Sequence, residues 1–248
     1  MSSKVAVDKK LQKELDEFRE KVKTDAERVI FEKFPQKKLI DSTSQPTSPF
    51  HLSHAPLSTD ATVYPPPSTS AEPEAKKRKL ESGGANGVST SNDASHAKHP
   101  GKMLSNKHTM ALHEHLKREC EELADLCDKV KLWINLSMPN GDNFGVQIQE
   151  DVLSEIHRSQ ESAYNLRDAA RQDYLTRAKI CSKIMKYPHL DDYATPKVAL
   201  KEHDEKQLYI ARQNLYDLRS IYAVITDMLH KNIEKIRSPK GNNASTMY

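Results

Sequence analysis

His113, His115, Cys120 and Cys127 stand close together in the chain, and imidazole and thiolate are the ligands zinc takes most readily. On a helix, however, Cys120 and Cys127 lie two turns apart on one apolar stripe. That is too far to share a tetrahedral ion without ligands from elsewhere. Packing in a core explains them better, and no metal or other cofactor is expected. The carboxylates Glu119, Glu121 and Glu122, and the pair Asp191-Asp192, read as solvated helix faces or caps. There is no Gly-rich phosphate loop and no nucleophile elbow. Nothing assembles into nucleophile, base and orienting group, so the chain reads as non-enzymatic.

One charged block stands apart. Lys76, Lys77, Arg78 and Lys79 are consecutive and lie in a Pro-flanked, Ser/Thr-rich setting. Four adjacent cations on an extended segment suit capture by an acidic groove, as an import receptor offers, and so point to the nucleus. Contact with phosphates is the second reading. A formal net charge of +3 gives no warrant for a nucleic-acid-binding surface over the whole protein.

The remaining composition bounds the setting. Three cysteines, Cys120, Cys127 and Cys181, make no disulfide framework. The opening Met1-Ser2-Ser3-Lys4 turns charged without an apolar leader core. No run approaches the roughly 18 apolar residues that span a bilayer, so no membrane contact is expected. The sequons at Asn135 and Asn243 are therefore expected to be silent in a reduced, intracellular setting. Only 7 glycines among 248 residues suit long helices better than a turn-rich sheet.

Hydrophobic periodicity places those helices. Val7, Leu11, Leu15, Phe18, Val22, Ala26 and Val29 recur in fours and threes, predicting a helix over residues 5–34 that Pro35 ends. Residues 42–102 lose the pattern and hold eight of the 13 prolines, and they read as a disordered insert. Leu112, Leu116, Cys120, Leu123, Cys127, Val130 and Ile134 restore the period, predicting a second helix from about Leu104 to Leu136. Pro139-Asn140-Gly141-Asp142 is a turn. The third stripe is Val152, Ile156, Ala163, Leu166, Ala170, Tyr174, Cys181 and Ile184, stopping before Pro188. The fourth helix starts near Thr195-Pro196, a cap followed by proline at the first position. It carries Leu208, Leu215, Leu218, Tyr222, Ile225, Leu229 and Ile236 and stops at Ser238-Pro239.

Helices of roughly 30 to 45 residues, about 45–65 Å long, each bearing one stripe, need partners along their whole length. Short connections make sequential neighbours antiparallel, so an all-α, up-down-up-down four-helix bundle is expected. Residues 1–41 supply helix one, 42–102 the insert, 103–238 helices two to four, and 239–248 a tail. In that topology the 139–145 loop and the tail share one pole, which reads as a docking face.

Several motifs, in order, resemble the REG (11S) proteasome activators of the nuclear gamma type. They are Asp142-Asn143-Phe144-Gly145-Val146-Gln147-Ile148-Gln149, Thr176-Arg177-Ala178-Lys179, Lys186-Tyr187-Pro188-His189-Leu190-Asp191-Asp192-Tyr193, and Lys231-Asn232-Ile233-Glu234-Lys235-Ile236 ahead of a terminal Tyr. The resemblance covers residues 103–248 and extends to Phe18-Arg19-Glu20 and Phe34-Pro35 in helix one. It implies a homoheptameric ring that caps the 20S proteasome without ATP or ubiquitin. The tail, Thr246, Met247 and Tyr248, would enter pockets of the α-ring. The activation loop would be Pro139, Asn140, Gly141, Asp142, Asn143, Phe144 and Gly145, and Lys179 would line the pore. Two departures bear on gate opening. The loop is about two residues shorter than the family's pattern, and Asp142 replaces an Asn, so an ionised side chain there only accepts hydrogen bonds. A nuclear helical scaffold that touches no protease is the competing reading.

Replacing Lys76, Lys77, Arg78 and Lys79 with neutral residues is expected to abolish nuclear accumulation of the fluorescently tagged chain. Unchanged accumulation would refute the import reading.

Overall fold

The computed structural model describes residues 9–37, 41–58, 103–139, 146–186 and 196–239, and every regular element among them is helical. Helix α1 (Lys9–Arg28) runs through one π turn (Val29–Lys33) into α2 (Phe34–Gln36). Short pieces follow: α3 (Asp41–Ser44), a 3-10 turn (Leu52–His54) and α4 (Ala55–Ser58). The long helices are α5 (Lys107–Ser137), α6 (Gln147–Lys186) and α7 (Pro196–Arg237).

The four-helix bundle is borne out, with α1, α5, α6 and α7 as its members. At three of the interfaces the paired helices run in opposite directions. Glu121 meets Arg167 and Asp128 meets Gln160 between α5 and α6. Gln149 meets Lys235 and Asp173 meets His203 between α6 and α7. Glu27 meets Arg237 and Phe34 meets Tyr222 between the first segment and α7.

The α5 stripe is buried from Leu112 to Ile134, and the α7 stripe from Leu208 to Ile236. Each large aliphatic side chain so covered contributes on the order of 1.5–3 kcal/mol. Helix α6 buries a thinner line, Val152, Ile156, Ala163, Ala170 and Ile184. Cys120 and Cys127 belong to this core, and burial pushes both thiols up to about 12, which keeps them protonated and inert. Among the described residues no cluster of His, Cys, Asp and Glu is arranged to hold a metal, and no helix is long and apolar enough to cross a membrane.

The π register stops at Pro35. In it, Phe34 N–H donates to the carbonyl of Val29, five residues back. The next donor in that register would be residue 35, which as proline has none. The carbonyl of Ile30 is thereby left over, and His230 Nε2 of α7 donates to it at 3.0 Å. The imidazole also stacks on Phe31, with ring centroids 5.3 Å apart. Lys37, just beyond, pairs with Glu119 of α5 at 3.0 Å and with Glu122. Burial opposes the lysine's charge, but the two carboxylates outweigh it and raise its pKa.

Two expectations need correction. The insert was expected to be disordered from residue 42, yet 41–58 fold against α5 and α7. Phe50 is 1% exposed and meets His115 edge-on. Arg212 Nη1 donates to the carbonyls of Thr43 and Phe50, and the ring of His108 bonds the Pro49 carbonyl. One buried aromatic and a few satisfied carbonyls therefore order a segment whose composition argues against it. Residues 59–102 lie outside the described residues.

The second correction concerns α1. Residues 9–21 are all exposed, including Leu11, Leu15 and Phe18 at 41–49%. Glu27 already pairs with Arg237, the last residue of α7, so the residues ahead of it run on past that helix. Only Val22 and Ala26 of α1 are buried. The stripe is present, but its first half has no cover among the described residues.

His230→Ala removes the donor to a carbonyl that Pro35 leaves unpaired, and is expected to cost about 1–3 kcal/mol. Denaturant midpoints check this; an unchanged midpoint would show that Ile30 is satisfied otherwise.

Candidate functional site

The pole expected to serve for docking is built where α6 begins and α7 ends. Glu150 N–H donates to the Val146 carbonyl at 3.0 Å, starting α6 directly after the loop. At the other terminus Ser238 N–H donates to the Glu234 carbonyl at 3.0 Å, closing the last turn of α7. The next carbonyl, that of Lys235, would take its donor from residue 239, again a proline. Gln149 Nε2, from the first turn of α6, supplies the bond at 3.0 Å. Gln149 is 1% exposed, and among the described residues its Oε1 has no partner.

A second set of contacts holds the same turn to α1. Arg237 donates to Glu27 at 2.9 Å and stands over the Phe31 ring, 5.6 Å from its centroid. Both partners are partly exposed, so the pair orients more than it stabilises. The last turn of α7, from which the tail departs, is thus tied to α6 on one side and α1 on the other.

Of the expected activation loop, Pro139 is half-buried beyond the C-cap Met138 of α5, and Asn140, Gly141, Asp142, Asn143, Phe144 and Gly145 lie outside the described residues. The tail residues Thr246, Met247 and Tyr248 and the basic block Lys76, Lys77, Arg78 and Lys79 lie outside them as well. Lys179 is exposed on α6.

The opposite pole carries a buried polar cluster that the stripes do not announce. Asp173 of α6 accepts from His113 of α5 at 3.1 Å and from His203 of α7 at 2.6 Å. Beside it Arg177 forks onto the fully buried Asp204, at 2.9 and 3.2 Å, and Asn106 adds a bond to the same carboxylate. Asn106 also caps α5, its Oδ1 accepting from Thr109 N–H at 3.0 Å. Three helices are joined by six polar side chains. A cleft of about 380 Å³ opens beside them, lined by Met103, Met110, Tyr174 and Cys181 among others.

Sequence reasoning passed over Gln149, Asp173, Asp204 and His230. The available signal was a polar residue in step with an apolar stripe. Gln149 precedes Val152 and Ile156 at three and seven residues, and Asp204 falls midway between Leu200 and Leu208.

Comparison with known proteins was made over the whole chain. Residues 102–246 match the family described as proteasome activator PA28, C-terminal. The chain is 34% identical to "Proteasome activator complex subunit 3" of Gallus gallus and 33% identical to that of Homo sapiens, in both cases over all of each chain. Its fold is similar to the crystal structure of the 11S subunit of the Plasmodium falciparum proteasome, PA28. The TM-score is 0.66 at 27% identity, covering 97% of this chain and 100% of that one.

The buried cluster makes a pH-dependent contribution of known sign. Burial alone would raise the Asp173 pKa, but the bonds from His113 and His203 outweigh it and bring it from 3.8 to about 2. A carboxyl depressed on folding adds stability that is present above about pH 4 and lost as pH falls towards about 2. The shift corresponds to roughly 2 kcal/mol. The stability gap between wild type and Asp173→Asn is expected to narrow over that window, read from denaturant midpoints at each pH. A gap independent of pH would refute a role for the charge.

Proposed function

The chain belongs to the PA28 family of proteasome activators, and on that premise we propose that it is a non-enzymatic, ATP- and ubiquitin-independent activator of the 20S proteasome, working as a homoheptameric ring. The observation that carries this reading is the docking pole. There the first turn of α6 and the last turn of α7 are bonded to each other through Gln149 and the Lys235 carbonyl. The loop from Pro139 to Gly145 joins the first of these turns, and the tail ending Thr246-Met247-Tyr248 leaves the second.

In this reading the tail carboxylates are captured in pockets of the proteasome α-ring, and the activation loop presses on its gate. Each tail binds weakly; seven held by one ring act at high effective concentration, so the assembly binds where a single subunit would not. Lys179 lines the pore, and Lys76 to Lys79 direct the protein to the nucleus through an import receptor.

Ring formation is supported by the apolar surface left uncovered. Leu11, Leu15 and Phe18 on α1 are exposed, as are Leu132 and Leu136 on the last turns of α5. Two unlike apolar faces on one subunit are what a heterologous, closing contact requires. A solitary subunit would leave both in water.

The expected particle has a native mass near seven times 28.2 kDa and raises hydrolysis of short fluorogenic peptides by 20S proteasome. Deleting Met247 and Tyr248 is expected to abolish stimulation while leaving the mass unchanged. Phe18→Asp combined with Leu136→Asp is expected to reduce the mass to that of one subunit. A wild-type chain that stays monomeric or dimeric and leaves hydrolysis unaffected would refute the proposal and favour a scaffold.

A further inference from the structure

We propose that Gln149 is a positioning residue that locks the activation loop to the docking tail, so that binding through one is transmitted to the other. The proposal rests on the reading of the chain as a proteasome activator, and it assigns the coupling to one side chain.

The physical case starts from Pro239. In an α-helix the carbonyl of residue 235 is bonded by the N–H of residue 239. Proline has no N–H, so the Lys235 carbonyl is left without a helical donor. The neighbouring bond, Ser238 N–H to Glu234, is intact, which places the break at this one step. Ile236, the next residue, is fully buried, so the turn sits against the core. An unpaired carbonyl there would be costly, and the structure fills the vacancy from another helix.

Gln149 is unusual for that role. It occupies a stripe position of α6, one turn before Val152, where an aliphatic residue would pack without a polar penalty. Its amide is instead buried, with Nε2 on Lys235 O at 3.0 Å and Oε1 unpartnered among the described residues. The orientation of the amide is fixed, because only the NH2 end can face a carbonyl. Half of the side chain's bonding capacity is left unused to supply this single donor. A methionine would fill the space but leave the Lys235 carbonyl unpaired; a buried amide directs the approach of that one carbonyl.

That carbonyl lies four residues before the proline at which the tail leaves α7, and Gln149 lies two residues after Gln147, the first residue of α6. The bond therefore sets the distance and direction between the two departures. A displacement of the loop's end of α6 carries the donor with it. The last turn of α7 must follow or lose its only described partner for Lys235 O.

The test uses the full-length ring with 20S proteasome and a fluorogenic peptide. Gln149→Met keeps length and volume but removes the donor. The half-saturating ring concentration is expected to change less than about threefold, while maximal stimulation falls by more than about threefold. Gln149→Glu adds a sharper readout. A buried carboxyl facing a carbonyl is biased towards its protonated form, which can donate. Relative to wild type, its stimulation is expected to recover as pH falls from about 8 to about 6, whereas that of Gln149→Met does not. His230→Ala, which breaks the comparable bond near Pro35, serves as control and is expected to keep maximal stimulation per bound ring.

Equal stimulation by wild type and both Gln149 variants would overturn the proposal. So would a loss shared equally by the His230 control. Should the wild-type ring neither bind nor stimulate the proteasome, the functional reading fails, and the lock is judged by hydrogen exchange on the free ring. Gln149→Met is then expected to speed exchange in the first turn of α6 and the last turn of α7 together, and unchanged exchange would overturn it.

Discussion

A proline has no N–H to give, and this chain sets one beside a helix–helix contact at two places. Pro35 leaves the Ile30 carbonyl without a donor, and Pro239 does the same to Lys235. Both vacancies are filled from a neighbouring helix, by His230 and by Gln149. The first bond fixes α7 against the end of the α1 segment, and the second fixes it against the start of α6. Only the second of these bonds joins the first turn of α6 to the last turn of α7. Close to both bonds, Arg237 is seated over Phe31.

The apolar stripes supply most of the stabilisation and very little of the register. Burying the α5 and α7 rows contributes on the order of 1.5–3 kcal/mol for each large side chain. A single crossing hydrogen bond contributes about 1 kcal/mol net. Yet an apolar row repeats every turn, so two such rows can slide by about 5.4 Å and still match. A carbonyl with one available donor cannot slide. At the far pole the same task falls to ions, where Arg177 and Asp204 pair at 0–12% side-chain exposure. Such pairs are poor sources of stability but costly to break, which suits them to holding one alignment.

Much of this fold was legible because its signals are local and periodic. Leu208 to Ile236 repeat at helical spacing, and Pro139, Pro196 and Pro239 mark where helices stop or start. What escaped notice depends on partners far away in sequence. Gln149 finds Lys235, His230 finds Ile30 and Arg212 finds Phe50, and no spacing rule links residues so distant. Residues 41–58 were misread for a related reason. Their prolines and serines argue for disorder, while the features that order them, Arg212 and the wall around Phe50, belong to other helices. In α1 the stripe itself was legible, but the assumption that one chain must cover it was not justified. The basic block, most of the loop and the terminal residues rest on sequence alone.

The projecting half of α1 makes the subunit an incomplete thermodynamic unit. Among the described residues, the side chains of residues 11–21 pair along their own helix, as Lys13 does with Glu17 and Gln12 with Asp16. Pairs of that kind are worth a few tenths of a kcal/mol each. A helical segment this short is marginal in water without tertiary support. Its order is therefore governed by mass action: dilution unwinds it and crowding among copies restores it, so apparent stability rises with protein concentration. The folding of the first few turns and the assembly of the particle become a single equilibrium.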